Sequence, residues 1–221
     1  MTYDDTAVPE RLPRGRHGLP REMVVASQRE RIVRALSDVM AANGYTATSI
    51  AQILKQAGVS RETFYEQFRS KEDCFEQTFN EAVADLSQRV WEATDPGSDV
   101  DPLLRFERLM KTYLEGLAAT PARTKTLLVE VFAAGHKFIA MRSARQAKFV
   151  DILVNILEAN TEEQRFACKL LVAGISAQVT GFAAADDFEG LRGMEGPLVA
   201  MVRRSGNLYG DAPARYAAKS A

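Results

Sequence analysis

Between Ser60 and Phe68 the order Ser-Arg-Glu-Thr-Phe-Tyr-Glu-Gln-Phe sets polar and aromatic side chains at spacings suited to contact with a nucleic acid. Phe64 and Phe68 are four apart and must share the inward face of a helix. That leaves Arg61, Glu62, Thr63, Tyr65 and Glu66 on the outer face and flanks. A guanidinium, a hydroxyl and a phenol presented together can meet phosphate oxygens and base edges. A second group lies just upstream. Thr48 and Ser49 stand where a helix begins, and the unpaired N–H groups and hydroxyls of such a start form a natural phosphate site.

These residues need elements that hold them still. Ile50, Ile53, Leu54 and Ala57 recur at three- and four-residue steps and predict one buried stripe. Gly58 closes that helix where a left-handed residue is needed, Val59 plugs the corner, and Ser60 is placed to cap the next helix. A helix, a tight turn and a short polar helix in this order form a helix-turn-helix, which points to DNA. Ahead of it, Ile32, Leu36, Val39 and Met40 predict a helix over about 24–43, ended by Asn43-Gly44. Behind it, Ser70 with Asp73 reads as a capping box that opens a long helix through Phe75, Phe79, Val83, Leu86 and Val90, able to link two halves.

Asp95-Pro96-Gly97-Ser98 breaks that helix. Asp101-Pro102 and Thr120-Pro121 each read as a helix start with proline at the first position, and Leu103, Phe106, Leu109, Met110 and Tyr113 follow the first as a stripe. Gly135 divides the run from 122 to 159, after which Phe138, Met141, Phe149, Ile152 and Ile156 face inward. Thr161 with Gln164 opens another capping box, a last short helix falls at about 197–204, and the tail after Gly206 is expected to fray. No useful strand alternation and no fixed-period repeat occur. The expected fold is all-α: an N-terminal three-helix helix-turn-helix domain over 23–70 and a C-terminal helical bundle over 71–205, about nine helices in all. A basic arm (1–22) and a flexible tail (206–221) flank them.

The net charge of −1 on 221 residues conceals an uneven distribution. From Arg11 to Arg34 there are seven arginines against two glutamates, and the first 71 residues carry 11 basic and 8 acidic groups. The remainder is therefore net acidic, a basic head on an acidic body. Arg11, Arg14 and Arg16 lie in a stretch rich in Pro and Gly that can enter a minor groove or remain a solvated tail. Cys74 and Cys168 are far apart and form no zinc, redox or disulfide pattern. The acidic start lacks a signal-like apolar segment, and no run approaches about 18–20 apolar residues, so a cytoplasmic location without a membrane partner is expected.

Taken with Gly44-Tyr45, Ala57-Gly58-Val59-Ser60, Phe64-Tyr65, Phe68 and Ser70-Lys71-Glu72, the segment from about Ile32 to Phe79 resembles TetR-type transcriptional regulators. The resemblance implies a one-component regulator, chiefly a repressor, that leaves DNA when a small molecule binds. It implies that Ser60, Arg61, Thr63 and Tyr65 meet DNA, with Tyr65 on a phosphate and Arg61 or Thr63 at bases, and that Lys71 meets a phosphate. Gln67 departs from the family's usual aromatic or histidine, and Glu62 and Glu66 set carboxylates on the DNA side. Beyond about residue 95 the likeness lies in helix number and order only.

For the C-terminal half, Trp91, Phe106, Met110, Tyr113, Phe132, Phe138, Met141, Phe149, Phe166 and Phe182 supply apolar surface. Singly each reads as core; together they favour a cavity for a hydrophobic or aromatic effector, with Glu130, His136, Arg145, Gln178 and Thr180 as polar anchors. Cys168 reads as a core filler, and Cys74 as the more modifiable thiol because it sits near a helix start. The small residues Ala173, Gly174, Ala177, Gly181 and Ala184, with Leu198, Met201 and Val202, suit either internal packing or a two-fold four-helix interface; a homodimer on a palindromic operator is favoured. No catalytic constellation, metal cluster or cofactor motif can be named, so an enzyme is not expected. The competing expectation is a helical ligand-binding or protein-interaction module that does not bind DNA.

Overall fold

The computed structural model describes residues 20–95 and 100–219, and among them every regular element is helical. Helix α1 (Arg21–Asn43) follows Pro20 and buries Ile32, Ala35, Leu36 and Met40. It begins before residue 22, so the helix takes the end of the expected arm; Arg11, Arg14 and Arg16 lie outside the described residues. Helix α2 (Ile50–Ala57) carries a reciprocal capping box: Ser49 Oγ accepts from the Gln52 N–H, and Gln52 Oε1 accepts from the Ser49 N–H at 2.8 Å. Gly58 ends it at φ 62°, ψ 40°, a left-handed conformation that costs glycine nothing. Helix α3 (Arg61–Gln67) starts with Ser60 Oγ accepting from the Thr63 N–H at 3.0 Å.

Helix α4 (Lys71–Thr94) is the long connector. Ser70 caps it through the Asp73 N–H, but the Asp73 carboxylate accepts from the Arg69 N–H instead of closing the box on Ser70. Helix α5 (Pro102–Ala119) is capped by Asp101, which accepts from the Leu103 N–H at 2.9 Å. The rod after Thr120 is a composite of α6 (Pro121–Lys125), a π turn (Thr126–Glu130) and α7 (Val131–Ala133). Gly135, at φ 107°, separates it from α8 (His136–Leu157). Thr161 and Gln164 form the second capping box and open α9 (Glu162–Ala184), followed by α10 (Phe188–Gly193), α11 (Glu195–Arg203) and α12 (Asp211–Lys219).

These are twelve α-helical segments among the described residues, against about nine expected. The π turn cuts one rod, and α10 and α12 are too short to show a periodic stripe. The tail expected to fray after Gly206 thus holds α12. It is fastened by tertiary contacts that no local pattern announces: Arg215 grips both oxygens of Glu158 at 2.7 Å, and Asn160 donates to Asp211 at 2.9 Å.

Two apolar clusters organise the molecule. One fills the C-terminal bundle around Phe106, Leu109, Met110, Leu153, Leu171 and Val179. The other unites α1, α2 and α3 with Phe75 and Phe79 of α4 and with Leu127, Val131 and Phe138 from beyond it. Phe75 and Phe138 meet edge to face at 4.7 Å. The helix-turn-helix therefore shares side-chain packing with the body. Helix α9 is long and apolar enough to cross a membrane by length and composition. One side of it, including Cys168, Val172 and Val179, packs in the core; Phe166 and Leu170 on the other stand 59% and 57% exposed.

Candidate nucleic-acid interface and ligand cavity

The polar face expected on α3 is present as an exposed surface. Arg61, Glu62, Tyr65 and Glu66 are exposed and Thr63 is half-buried, while Phe64 and Phe68 are sealed beneath. The Tyr65 ring stands edge-on to Phe64 at 5.4 Å, which steers the phenol outward. Ser49 and Ser60 are exposed at the starts of α2 and α3, although each hydroxyl also serves as a cap.

Two expected contacts are placed differently. Thr48 is buried and its hydroxyl donates to the Gly44 carbonyl at 2.8 Å, so the side chain fixes the turn before α2 and faces away from solvent. A threonine O–H that donates to a carbonyl four residues back ties its side chain to the local backbone. Lys71 folds back onto the same loop. Its ammonium donates to the carbonyls of Tyr45 and Thr48, both at 2.8 Å, and lies 4.2 Å from the centre of the Tyr45 ring. Burial lowers its pKa from the ordinary lysine value. An ammonium has three donors, so one remains for a phosphate.

The opposite side of that loop is held from the body. Glu130, at the end of the π turn, accepts from the Tyr45 N–H at 2.6 Å. Glu130 is thus engaged with the backbone of the N-terminal unit, where it had been expected as an effector anchor. The loop 44–48 is clasped by Lys71 from α4 and by Glu130 from the π turn.

A cavity of about 150 Å³ lies inside the body, walled by α4, α5, the π turn, α8 and α9. Of the expected lining residues, Tyr113 and Phe149 face it, their rings 5.2 Å apart. Met110 and Phe106, one and two turns before Tyr113 on α5, are consumed by the bundle core. Phe138 and Met141 pack with the N-terminal cluster. Trp91 and Phe132 are 57% and 48% exposed, Gln178 is exposed, and Phe182 lies against the α10 backbone at Gly190. Helical period alone assigns a residue to a face, and these faces meet core or solvent. Of the anchors, Arg145 lies in the lining, His136 is exposed, and Thr180 acts through Arg142.

Arg142 is the site residue that sequence reasoning missed. Its Nη2 donates to Ser176 Oγ at 2.7 Å and Thr180 Oγ1 at 3.1 Å, its guanidinium lies 5.1 Å from the Phe132 ring centre, and its Nε–H is buried without a partner. An unpaired buried donor costs about 1–3 kcal/mol. Burial lowers the pKa of Arg142, and burial pushes the Tyr113 phenol up to about 12, so Tyr113 stays neutral. The surface left to Tyr113 faces the cavity. A signal did exist: Arg142 interrupts the inward series Phe138, Gln146, Phe149, Ile152 at a position one helical turn from Phe138.

Residues 32–78 match the family model described as bacterial regulatory proteins, tetR family. The helix-turn-helix and the start of α4 are thus similar to that family's N-terminal segment. Over 61 residues the chain is 38% identical to the fatty acid metabolism regulator protein of Bacillus subtilis (strain 168), a match covering 28% of this chain and 31% of that protein. The match thus spans under a third of that relative's length. Among solved structures, the fatty acid degradation regulator FadR from Bacillus halodurans superposes with a TM-score of 0.68 at 19% identity, covering 79% of this chain and 93% of that one. FadR from Bacillus subtilis in complex with stearoyl-CoA gives 0.67 at 19% identity over 78% and 96%. A TetR-like transcriptional regulator from Rhodococcus sp. RHA1 gives 0.64 at 18% over 83% and 97%. The likeness of fold to these structures extends well past residue 95, where the sequence shows helix order alone.

Within the segment matched by that model, the departure at Gln67 has a structural consequence. Both amide atoms of Gln67 are buried without a hydrogen-bond partner among the described residues. The thiol expected to be reactive is sealed: Cys74 is fully buried and desolvation pushes its pKa up to about 12, outweighing the helix start. Cys168 is buried as a filler, with a pKa raised to about 11. Among the described residues no cluster of His, Cys, Asp and Glu could hold a metal ion.

Proposed function

We propose that the protein is a ligand-responsive transcriptional regulator of the tetR type. In this reading it acts as a repressor, binds a palindromic double-stranded DNA operator as a homodimer, and is released by a small hydrophobic or aromatic effector. The observation that carries this reading is the double role of the π turn. Leu127 and Leu128 of that turn line the cavity, and Glu130 at its end holds the backbone of Tyr45 in the DNA-facing unit. Helix α4 has the same dual position: Phe79, Val83, Leu86 and Val90 line the cavity, and Lys71 at its start clasps the loop before α2. A π turn inside a helix is a strained, adjustable element often found at functional sites.

On DNA, Arg61 and Thr63 read bases, Tyr65, Ser49, Ser60 and the third donor of Lys71 hold phosphates, and Arg14 and Arg16 add an electrostatic arm. Thr48 supports the reading face through the Gly44 carbonyl. Effector entry presses on the π turn and α4 and changes the spacing of two recognition helices. Release follows only if the effector binds the DNA-incompetent spacing better than the competent one.

The second copy is supported by α9. Phe166 and Leu170 are exposed one turn apart, beside exposed Ala173, Gly174, Ala177 and Gly181, whose small size lets a second helix approach closely. A single seven-residue recognition helix meets few bases, and a two-fold partner doubles the site. The test is selection of duplex sequences by the purified protein, followed by footprinting and sedimentation. A protected palindrome bound by a dimer is the expected result; a strict monomer without sequence preference would overturn the reading.

A further inference from the structure

The cavity sets its own limits on what can enter. A void of about 150 Å³ lined by aliphatic and aromatic side chains is one that benzene fills. An eighteen-carbon acyl chain, such as the stearoyl group bound by the Bacillus subtilis neighbour, has roughly three times the carbon count of benzene and would extend beyond that space.

The walls are also charged in one sense. The polar side chains that line the cavity are Ser87, Tyr113, Arg142, Arg145, Gln146 and Ser176, with no aspartate or glutamate among them. Arg142 has two hydroxyls and the face of Phe132 about it, and it forms no ion pair among the described residues. Arg145 is exposed at the wall, where its Nη2 donates to the Asn80 side-chain Oδ1 at 3.4 Å. A guanidinium taken from water and given only neutral partners gains most from an anion, and its planar fork matches a carboxylate.

The geometry points to an effector that is a small organic acid, with one carboxylate paired to Arg142 and a compact apolar body of benzene-like size against Tyr113 and Phe149. This deepens the regulator reading and rests on it for the consequence of binding. Ser176 and Thr180 hold the guanidinium in place. Tyr113, a neutral phenol, can donate a hydrogen bond to the acid without opposing its charge. Arg145 draws the anion towards the cavity.

Full-length protein is titrated with benzoate, with its neutral isostere benzamide, and with stearoyl-CoA, reading Tm and heat of binding. Benzoate is expected to raise Tm and benzamide to leave it unchanged. Arg142→Met, which keeps much of the side-chain volume, should weaken benzoate at least tenfold with the helical circular dichroism intact. Should that variant fail to fold, Arg142→Lys carries the test through the same fall in benzoate affinity. Equal binding of benzamide and benzoate, unaltered benzoate affinity in the variant, or binding of stearoyl-CoA alone would overturn the assignment. DNA binding in the same preparation separates the two readings. Specific DNA binding with no benzoate response sinks the acid alone, and benzoate binding with no specific DNA binding sinks the regulator.

Discussion

Arg61 and Arg142 are both arginines without a carboxylate partner among the described residues, and they stand in opposite surroundings. Arg61 projects from α3 into solvent, where its charge is hydrated and costs nothing to keep. Arg142 sits in the wall of the body among hydroxyls and rings, where the same charge has lost much of its water. The contrast extends to the regions around them. The N-terminal unit turns its polar groups outward over a sealed aromatic floor, and the body turns a few inward around a void. The first arrangement suits a large anionic surface; the second suits one small anion.

The largest effect should come from the floor of the N-terminal unit. Phe64 is fully buried beside Phe68, so Phe64→Ala should cost about 3–5 kcal/mol in urea unfolding. Because Phe75, Phe79 and Phe138 join this floor to the body, the loss is expected in a single transition. Two separate transitions would show that the regions are independent, and would break the comparison as drawn.

Arg61→Ala should cost about 1–3 kcal/mol of discrimination at one base position per half-site, and leave unfolding within about 0.5 kcal/mol of wild type. Identical operator profiles for the two proteins would reject the base contact. Glu130→Ala tests the link between the regions. It strips the Tyr45 N–H of its acceptor and should destabilise by about 1–3 kcal/mol, while Glu130→Gln retains an acceptor and most of that stability. Under the regulator reading, Glu130→Ala should also bind DNA with an affinity that effector no longer changes. Full effector response in that variant would remove the π turn from the path.

The two regions also differ in how far the roles of their residues are legible in the sequence. In α2 and α3 each feature rests on neighbours in sequence: Ser49 caps through Gln52, Gly58 turns the chain by its own φ, and Phe64 and Phe68 fall on one face. Such signals are complete within a few residues, so the helix-turn-helix was legible. Thr48 and Lys71 also belong to this region by sequence, but the carbonyls that their side chains meet become available only when the loop folds. The body depends on pairings far apart in the chain. Phe106, Met110 and Phe138 occupy the inward faces that periodicity assigns, yet the void opens one to three turns further on, at Tyr113 and Phe149. Its position is a residue of how five segments pack, and no single stripe encodes that. Arg142 was visible as a charge on an apolar face; its meaning needed Ser176 and Thr180 from α9.

The smallest effect concerns the end of the chain, where α12 is tied down by charge. The side-chain hydrogen bonds from Arg215 hold the Glu158 carboxyl below its ordinary pKa. A carboxyl whose folded pKa is depressed contributes stability that is present above its unfolded value, near 4.3, and lost as pH falls through the folded one. Both partners are substantially exposed, 55% and 37%, so solvent screening limits the pair to about 0–1 kcal/mol. Amide exchange in α12 should therefore quicken as the pH drops below the usual carboxylate range, relative to α2, which is held by neutral caps. Glu158→Gln should give the quickened exchange at neutral pH and flatten its pH dependence. An α12 as protected in acid as at neutrality would mean that packing at Ala212 fastens the helix by itself.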